Sequence, residues 1–121
     1  MKRRFRLTRS IDFKRVRNQG KSYAHPLVVL VKLPSLEEWP RVGISTSRSV
    51  GGAVQRNRAK RLLRESIRPL IPLLSPRWDI VLIARTPLVT AAFQDVQSAL
   101  ELLLCRAGLA SPIDEQNLNV R

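Results

Sequence analysis

The chain has 121 residues, 44% of them hydrophobic, which is enough for one domain with a modest packed core. Its formal net charge is +13, and none of its apolar runs approaches the roughly 20 residues that a membrane-spanning helix needs. The basic start MKRRFRLTRS is not followed by the apolar stretch of a signal peptide, so we expect a cytoplasmic protein. The single cysteine, Cys105, lies among leucines and is expected to be a buried core thiol.

The positive charge is concentrated in the first half of the chain. Residues 1–68 contain 18 Lys and Arg against 4 Asp and Glu, whereas residues 69–121 contain 4 against 5. A field of this size attracts polyanions, because their binding releases condensed counterions. Nucleic acid is therefore the expected partner class. A membrane surface is the weaker alternative, because neither tryptophan lies in a basic segment, where an interfacial helix would need its anchors.

The first predicted elements are a short helix and two strands. Ser10 is predicted to cap the helix, which ends near Gly20. The β-branched run at 25–33 predicts a strand covered on both faces, and the alternating segment 41–47 predicts a second strand. A proline-bounded loop, PSLEEWP, joins the two strands. This connection favours an antiparallel pair.

A long helix is predicted next, from about residue 53 to about residue 71, after a pair of glycines. It is followed by a buried strand at 77–85 and by a helix at 93–108. Residues 109–121 are predicted to form a loose C-terminal tail. The expected fold is therefore a single α+β domain of residues 1–108, in which helices pack on a central sheet.

The long helix is predicted to have two faces. At about 100° per residue, its apolar side chains fall on one side and most of its cations fall in an arc on the other. Like charges four residues apart repel by a few tenths of a kcal/mol per pair, so an external anion is needed to compensate. Guanidinium groups at this spacing suit successive phosphates, whereas a face that only keeps the protein soluble normally mixes charges of both signs. The basic arc consists of Arg56, Asn57, Lys60, Arg61, Arg64 and Arg68, with Arg58 apart from it.

The residues present argue against a stand-alone protein nuclease. One histidine, His25, and one cysteine cannot form a His/Cys metal cluster, and the adjacent acidic pairs lie in a loop and in the tail. Arginine cannot act as a general base near neutral pH. We therefore expect no catalytic residue and no metal ligand in the protein. A DNA-binding regulator would need two helices joined by a short turn, which the pattern lacks.

One block of sequence carries a family resemblance. The block RVGISTSRSVGGAVQRNRAKRLLRE at 41–65, with DF at 12–13 and DIVLIAR at 79–85, resembles the protein subunit of bacterial ribonuclease P. That family is marked by an RNR motif set between GxAVxRN and KRxxRE. The likeness runs from about Leu7 to about Ala107. A ribosomal-type structural RNA-binding protein, with similar charge and size, is the alternative.

The resemblance implies a function and a topology. One protein would bind one large catalytic RNA, which removes the 5′ leader of precursor tRNA in an RNA active site that contains Mg²⁺; the protein itself would bind no cofactor. General rules favour a right-handed crossover from the strand at 41–47 through the long helix to the strand at 77–85. The family has a left-handed crossover, so the resemblance implies a left-handed one here.

The resemblance also implies two separate sets of contact residues. The catalytic RNA would be bound by Arg48, Arg56, Asn57, Arg58, Lys60, Arg61, Arg64 and Arg68. The leader of precursor tRNA would lie in a cleft between the N-terminal helix and the sheet, bound by Phe13, Lys14, Arg17 and Val31. Family members often carry aromatic residues at the positions of Arg17 and Val31, although an arginine can also stack by its guanidinium plane. The alternative for Phe13 is an ordinary core residue beside Val16.

Overall fold

The computed structural model describes residues 2–110, which contain three α-helices and four β-strands. In chain order they are α1 (Ser10–Gln19), β1 (Lys21–Ala24), β2 (Val28–Pro34), β3 (Arg41–Thr46), α2 (Ala53–Ile67), β4 (Trp78–Ala84) and α3 (Phe93–Arg106). The predicted α+β class and its three helices are confirmed. Within residues 2–110, no helix is long and apolar enough to cross a membrane.

The four strands form one sheet in the order β1-β2-β4-β3. β2 pairs antiparallel with both β1 and β4, and β3 lies at an edge and pairs parallel with β4. The predicted antiparallel pair of segments 25–33 and 41–47 is therefore wrong, because β4 lies between them. Both β2 and β4 are rich in apolar residues, which favours the two central positions of the sheet. The predicted crossover from β3 through α2 to the parallel strand β4 is confirmed.

Successive side chains of the central strands point to opposite faces of the sheet and form two apolar clusters. On one face Leu30, Ile80 and Leu82 belong to the main core, which also contains the buried stripes of α2 and α3. On the other face, the second core consists of Leu7, Val16, Val31 and Val81, beneath α1. The sheet is thus covered on both faces, as the apolar run at 25–33 predicts.

Several element boundaries differ from those predicted. Ser10 is the first residue of α1 and makes no capping hydrogen bond, so it is not the helix cap. α2 ends at Ile67, because Pro69 lacks the N–H that a continuing α-helix needs, and the chain goes on as a 3-10 helix over Arg68–Leu73. Strand β1 was not predicted, because its four residues are mostly exposed and show no clear apolar alternation.

Two predictions about the C-terminal part need correction. Cys105 is exposed and not a core thiol, because the buried stripe of α3 lies on the opposite side of the helix, at Val96, Leu100 and Leu103. Leu109, the first residue of the predicted tail, is fully buried in the main core, and its carbonyl accepts a hydrogen bond from the Ser75 N–H at 2.7 Å. The packed domain therefore extends past residue 108. Residues 111–121 lie outside the described residues.

A buried carboxylate fastens α1 to the sheet. Asp79 of β4 is fully buried and accepts hydrogen bonds from Arg15 of α1 at 2.6 Å and from Arg41 of β3 at 2.8 Å. Burial by itself would raise the pKa of Asp79, but the hydrogen bonds from Arg41 and Arg15 outweigh burial and hold this pKa below its ordinary value. The carboxylate is therefore ionised, and it joins α1, β3 and β4.

Candidate nucleic-acid interface

The predicted two-faced character of α2 is present in the structure. Ala59, Leu63 and Ile67 are fully buried in the main core. The opposite side carries the cations, which are partly exposed at Arg56, Lys60 and Arg64 and exposed elsewhere. Because Arg56 and Arg64 are eight residues apart, their Cα atoms lie about 12 Å apart along the helix axis. We call this side the basic face of α2. It consists of Arg56, Asn57, Lys60, Arg61 and Arg64, together with Arg68 at the start of the 3-10 helix that follows.

The remaining predicted contacts for the catalytic RNA occupy different positions. Arg58 lies on the other flank of α2, where its Nε donates to the Val89 carbonyl at 3.1 Å. It therefore helps to hold the segment that precedes α3. Arg48 is exposed in the 3-10 helix between β3 and α2. Arg68 pairs with Glu65 at 2.7 Å, but an exposed pair of this kind contributes little to stability and leaves the guanidinium accessible.

A glycine sets the position of the RNR tripeptide at the start of α2. Gly51 has a φ of 135°, a conformation that residues with a side chain rarely adopt, and it turns the chain into α2. Arg56, Asn57 and Arg58 consequently lie in the first two turns of the helix. The partial positive charge at the helix N-terminus adds to the positive potential of the side chains.

The sheet face beside α1 has a row of residues that α1 leaves partly uncovered. Neighbouring strands place Ala24, Val29, Ile83 and Ser45 side by side. Ala24 is exposed and the other three are partly exposed. Three strand spacings make this row roughly 14 Å wide. We call it the open strip. The sequence did not reveal it, because only the strand register fixes which residues of each apolar run share this row.

Phe13 of α1 is partly buried over the sheet. Its ring packs against the second core and lies over Gly43 of β3. Lys14 and Arg17 are exposed on α1. Val31, by contrast, is only 2% exposed and has almost no surface to offer a ligand. Of the four predicted leader contacts, three are thus accessible and Val31 lies beneath α1.

A pocket of about 180 Å³ opens at the outer edge of β3. It lies between the N-terminal residues, α1 and α2, so that Phe13 and Arg64 line one opening. The two predicted binding surfaces therefore adjoin each other, which the sequence did not indicate. The full lining consists of Arg6, Leu7, Thr8, Phe13, Val42, Ile44 and Arg64.

The single histidine, His25, takes part in a local turn. The Nδ1 atom of His25 accepts a hydrogen bond from the Leu27 N–H at 3.1 Å, within the turn before β2. Among residues 2–110, no group of three or more His, Cys, Asp or Glu side chains could hold a metal ion. The exposed polar side chains of the basic face and of α1 are mainly cations and amides, which can donate hydrogen bonds to anions.

Comparison with known proteins shows to which family this chain belongs. The family model of ribonuclease P matches residues 1–108. The chain belongs to the ribonuclease P protein family. The role of this family is the 5′ maturation of tRNA, so the chain acts in an RNA-processing ribonuclease. The match spans nearly the whole chain and excludes the alternative of a ribosomal-type structural RNA-binding protein.

Individual members of the ribonuclease P protein family are similar along most of their length. The ribonuclease P protein component of Chloroflexus aurantiacus is 42% identical over 110 residues, which cover 90% of this chain and 82% of that protein. The component from Dehalococcoides mccartyi is 41% identical over 116 residues, 96% of this chain and 95% of that one. The solved structure of the Staphylococcus aureus RNase P protein has a TM-score of 0.77 at 30% identity, covering 88% of this chain and 98% of that one.

Proposed function

We propose that this ribonuclease P protein binds the catalytic RNA through the basic face of α2 and holds the 5′ leader of precursor tRNA along α1 and the open strip. The observation that carries the proposal is the segregation of charge on α2. Its single acidic residue, Glu65, pairs with Arg68 at the end of the basic face, so Arg56, Lys60 and Arg64 meet no carboxylate on their own helix.

A polyanion relieves the repulsion that this arrangement creates. Arg56, Lys60 and Arg64 follow one another at intervals of four residues, and like charges at that spacing destabilise a free helix slightly. An RNA backbone along the face would replace repulsion with attraction and release counterions. Contacts to phosphates position a protein without reading sequence, which suits the docking of a folded RNA. Arg48, exposed in the 3-10 helix between β3 and α2, adds a further cation close to the start of α2.

The neighbourhood of α1 suits a single strand of variable sequence. Part of the Phe13 ring and the apolar side chains of Val29 and Ile83 offer surface on which bases can stack or pack. Lys14 and Arg17 supply charge for the backbone. Base stacking and backbone attraction both tolerate any sequence, so one site can hold many different leaders.

We further propose that the protein alone is not a catalyst. One protein binds one catalytic RNA, and the complex acts in the cytoplasm. Arginine supplies most of the cations on the protein's basic surfaces, and a guanidinium cannot serve as a general base near neutral pH. Mg²⁺ held by RNA oxygens would activate the attacking water and stabilise the leaving oxygen. The protein would help by screening the repulsion between the catalytic RNA and the substrate.

Reconstitution with a cognate catalytic RNA tests the proposal. Cleavage of a precursor tRNA is measured with and without protein over a series of Mg²⁺ concentrations. The benefit of the protein should be largest at low Mg²⁺ and shrink as Mg²⁺ takes over the screening. Protein freed of RNA is the control. Sustained cleavage by that preparation, lost on His25→Ala, would show that the protein itself is the nuclease and contradict the proposal.

A further inference from the structure

The N-terminal residues 2–9 form a strap that crosses the edge of the sheet from one face to the other. Phe5 packs against the main core, on the side of α2. Leu7 is 3% exposed and belongs to the second core, on the side of α1. Between them the strap pairs with β3, where the Leu7 N–H donates to the Val42 carbonyl at 2.9 Å. The strap is therefore fixed in place by two apolar anchors and the backbone of β3.

Every charged residue of the strap is a cation and is exposed. The Arg4 guanidinium lies 5.1 Å from the centre of the Phe5 ring and 5.9 Å from that of Trp39. Two aromatic neighbours restrict this side chain, so binding a phosphate would cost less conformational entropy there than at a free arginine. The cations are Lys2, Arg3, Arg4, Arg6 and Arg9.

The strap also lies between the two surfaces described above. Arg6 lines the same pocket as Arg64 of the basic face and Phe13 of α1. A chain of cations therefore runs from α2 around the edge of β3 to α1. Charged residues also protect an edge strand from pairing with other chains, but that role does not require an arginine stacked on aromatic rings or a link between two binding surfaces.

We propose that the strap is a third RNA-binding element, in which Arg4 and Arg6 bind backbone phosphates. It joins the basic face of α2 and the surface of α1 into one continuous RNA-binding surface around the β3 edge. This inference rests on the proposed function and adds a separate segment to it. The ligand is an RNA phosphodiester backbone, which either the catalytic RNA or the 5′ leader can supply.

The test compares two double variants that remove the same charge. Arg4→Gln with Arg6→Gln alters the strap, and Lys21→Gln with Arg106→Gln is the control. Lys21 and Arg106 are exposed, on the opposite sheet edge and at the end of α3. Affinity is measured over a salt series for the catalytic RNA alone. In the assembled enzyme it is measured for precursor tRNA and for tRNA without a leader.

If the strap variant no longer neutralises two phosphates, the negative slope of log affinity against log salt should be less steep than that of the control by roughly 1.4 to 1.8. A change with the catalytic RNA alone assigns the bound phosphates to that RNA, and a change seen only with the leader-bearing substrate assigns them to the leader. Equal slopes for the strap and control variants in all three arms would overturn the inference.

Two further measurements distinguish failure of the strap inference from failure of the proposed function. The variant Arg56→Ala, Lys60→Ala, Arg64→Ala serves as the reference for the proposed function. If it loses RNA affinity while the strap variant matches the control, the strap inference fails and the proposed function stands. If neither loses affinity, the proposed function fails as well. Should the double variant unfold, Arg6→Gln alone repeats the test with the stacked Arg4 intact, and its expected change in slope is about half as large.

Discussion

The ring of Phe13 lies so close to Gly43 that a Cβ atom at Gly43 would be 2.6 Å from the Cζ atom of the ring. No side chain fits between α1 and β3 at this point without moving the ring. The glycine therefore sets the height of Phe13 above the sheet. It also sets how much of the ring remains exposed beside the open strip.

We predict that Gly43→Ala displaces the Phe13 ring. Overpacking of this kind costs about 1 to 3 kcal/mol, so the free energy of unfolding should fall by that amount in denaturant titrations. Precursor tRNA should bind more weakly to the assembled enzyme, because the Phe13 ring is displaced from its position beside the open strip. Affinity for the catalytic RNA should be nearly unchanged. Full stability together with unchanged substrate affinity would contradict this account of the close approach.

Phe13 itself is predicted to contact the leader. Phe13→Ala should weaken binding of precursor tRNA to the assembled enzyme by about 1 to 3 kcal/mol if a base stacks on the ring, while assembly with the catalytic RNA is preserved. Phe13→Leu is the matched control, because it keeps apolar bulk over Gly43 and removes only the aromatic surface. If both variants lower the melting temperature and neither changes substrate affinity, Phe13 is a core residue and the leader assignment is wrong.

The basic face of α2 gives a prediction about salt dependence. The variant Arg56→Ala, Lys60→Ala, Arg64→Ala should bind the catalytic RNA more weakly. The decrease of its log affinity with log salt should be less steep by roughly 0.7 to 0.9 for each phosphate that the variant no longer neutralises. Its circular dichroism and melting temperature should stay close to the wild type, because the buried stripe of α2 is untouched. An unchanged affinity and slope would mean that the basic face is only solvated surface.

The buried carboxylate predicts a pH-dependent stability. The pKa of Asp79 is held below its ordinary value, so the folded state binds this proton less readily than the unfolded chain does. Its contribution to the free energy of unfolding should be complete above about pH 5 and disappear as the pH falls through the lowered pKa, below about pH 4. Urea titrations from about pH 7 to about pH 3 measure it.

Asp79→Asn should destabilise the protein by about 3 kcal/mol near neutral pH, because Arg15 and Arg41 lose their shared carboxylate. It should also remove part of the loss of stability at low pH. Asp95→Asn, at an exposed carboxylate on α3, is the matched control and should change stability little. Equal effects of the two substitutions would show that the buried ion pair does not fasten α1 to the sheet.

Several features follow from the sequence alone, because they depend on residues close together in the chain. The spacing of apolar and basic residues in α2 fixes two faces before any tertiary contact is known. The glycine pair marks the start of α2 and Pro69 marks its end. The RNR block between residues 41 and 65 indicates the family. The charge excess of residues 1–68 likewise indicates a polyanionic partner without reference to the fold.

Other features were decided only by contacts between distant residues. β4 inserts between β2 and β3, because pairing is chosen by the burial of whole strands and not by closeness along the chain. That register buries Val31, opens the strip at Val29 and Ile83, and places Asp79 beside two arginines. The strap at the β3 edge depends on apolar anchors in both cores, which no local pattern contains. Local periodicity thus determined the chemistry of each element, and packing free energy determined which elements meet.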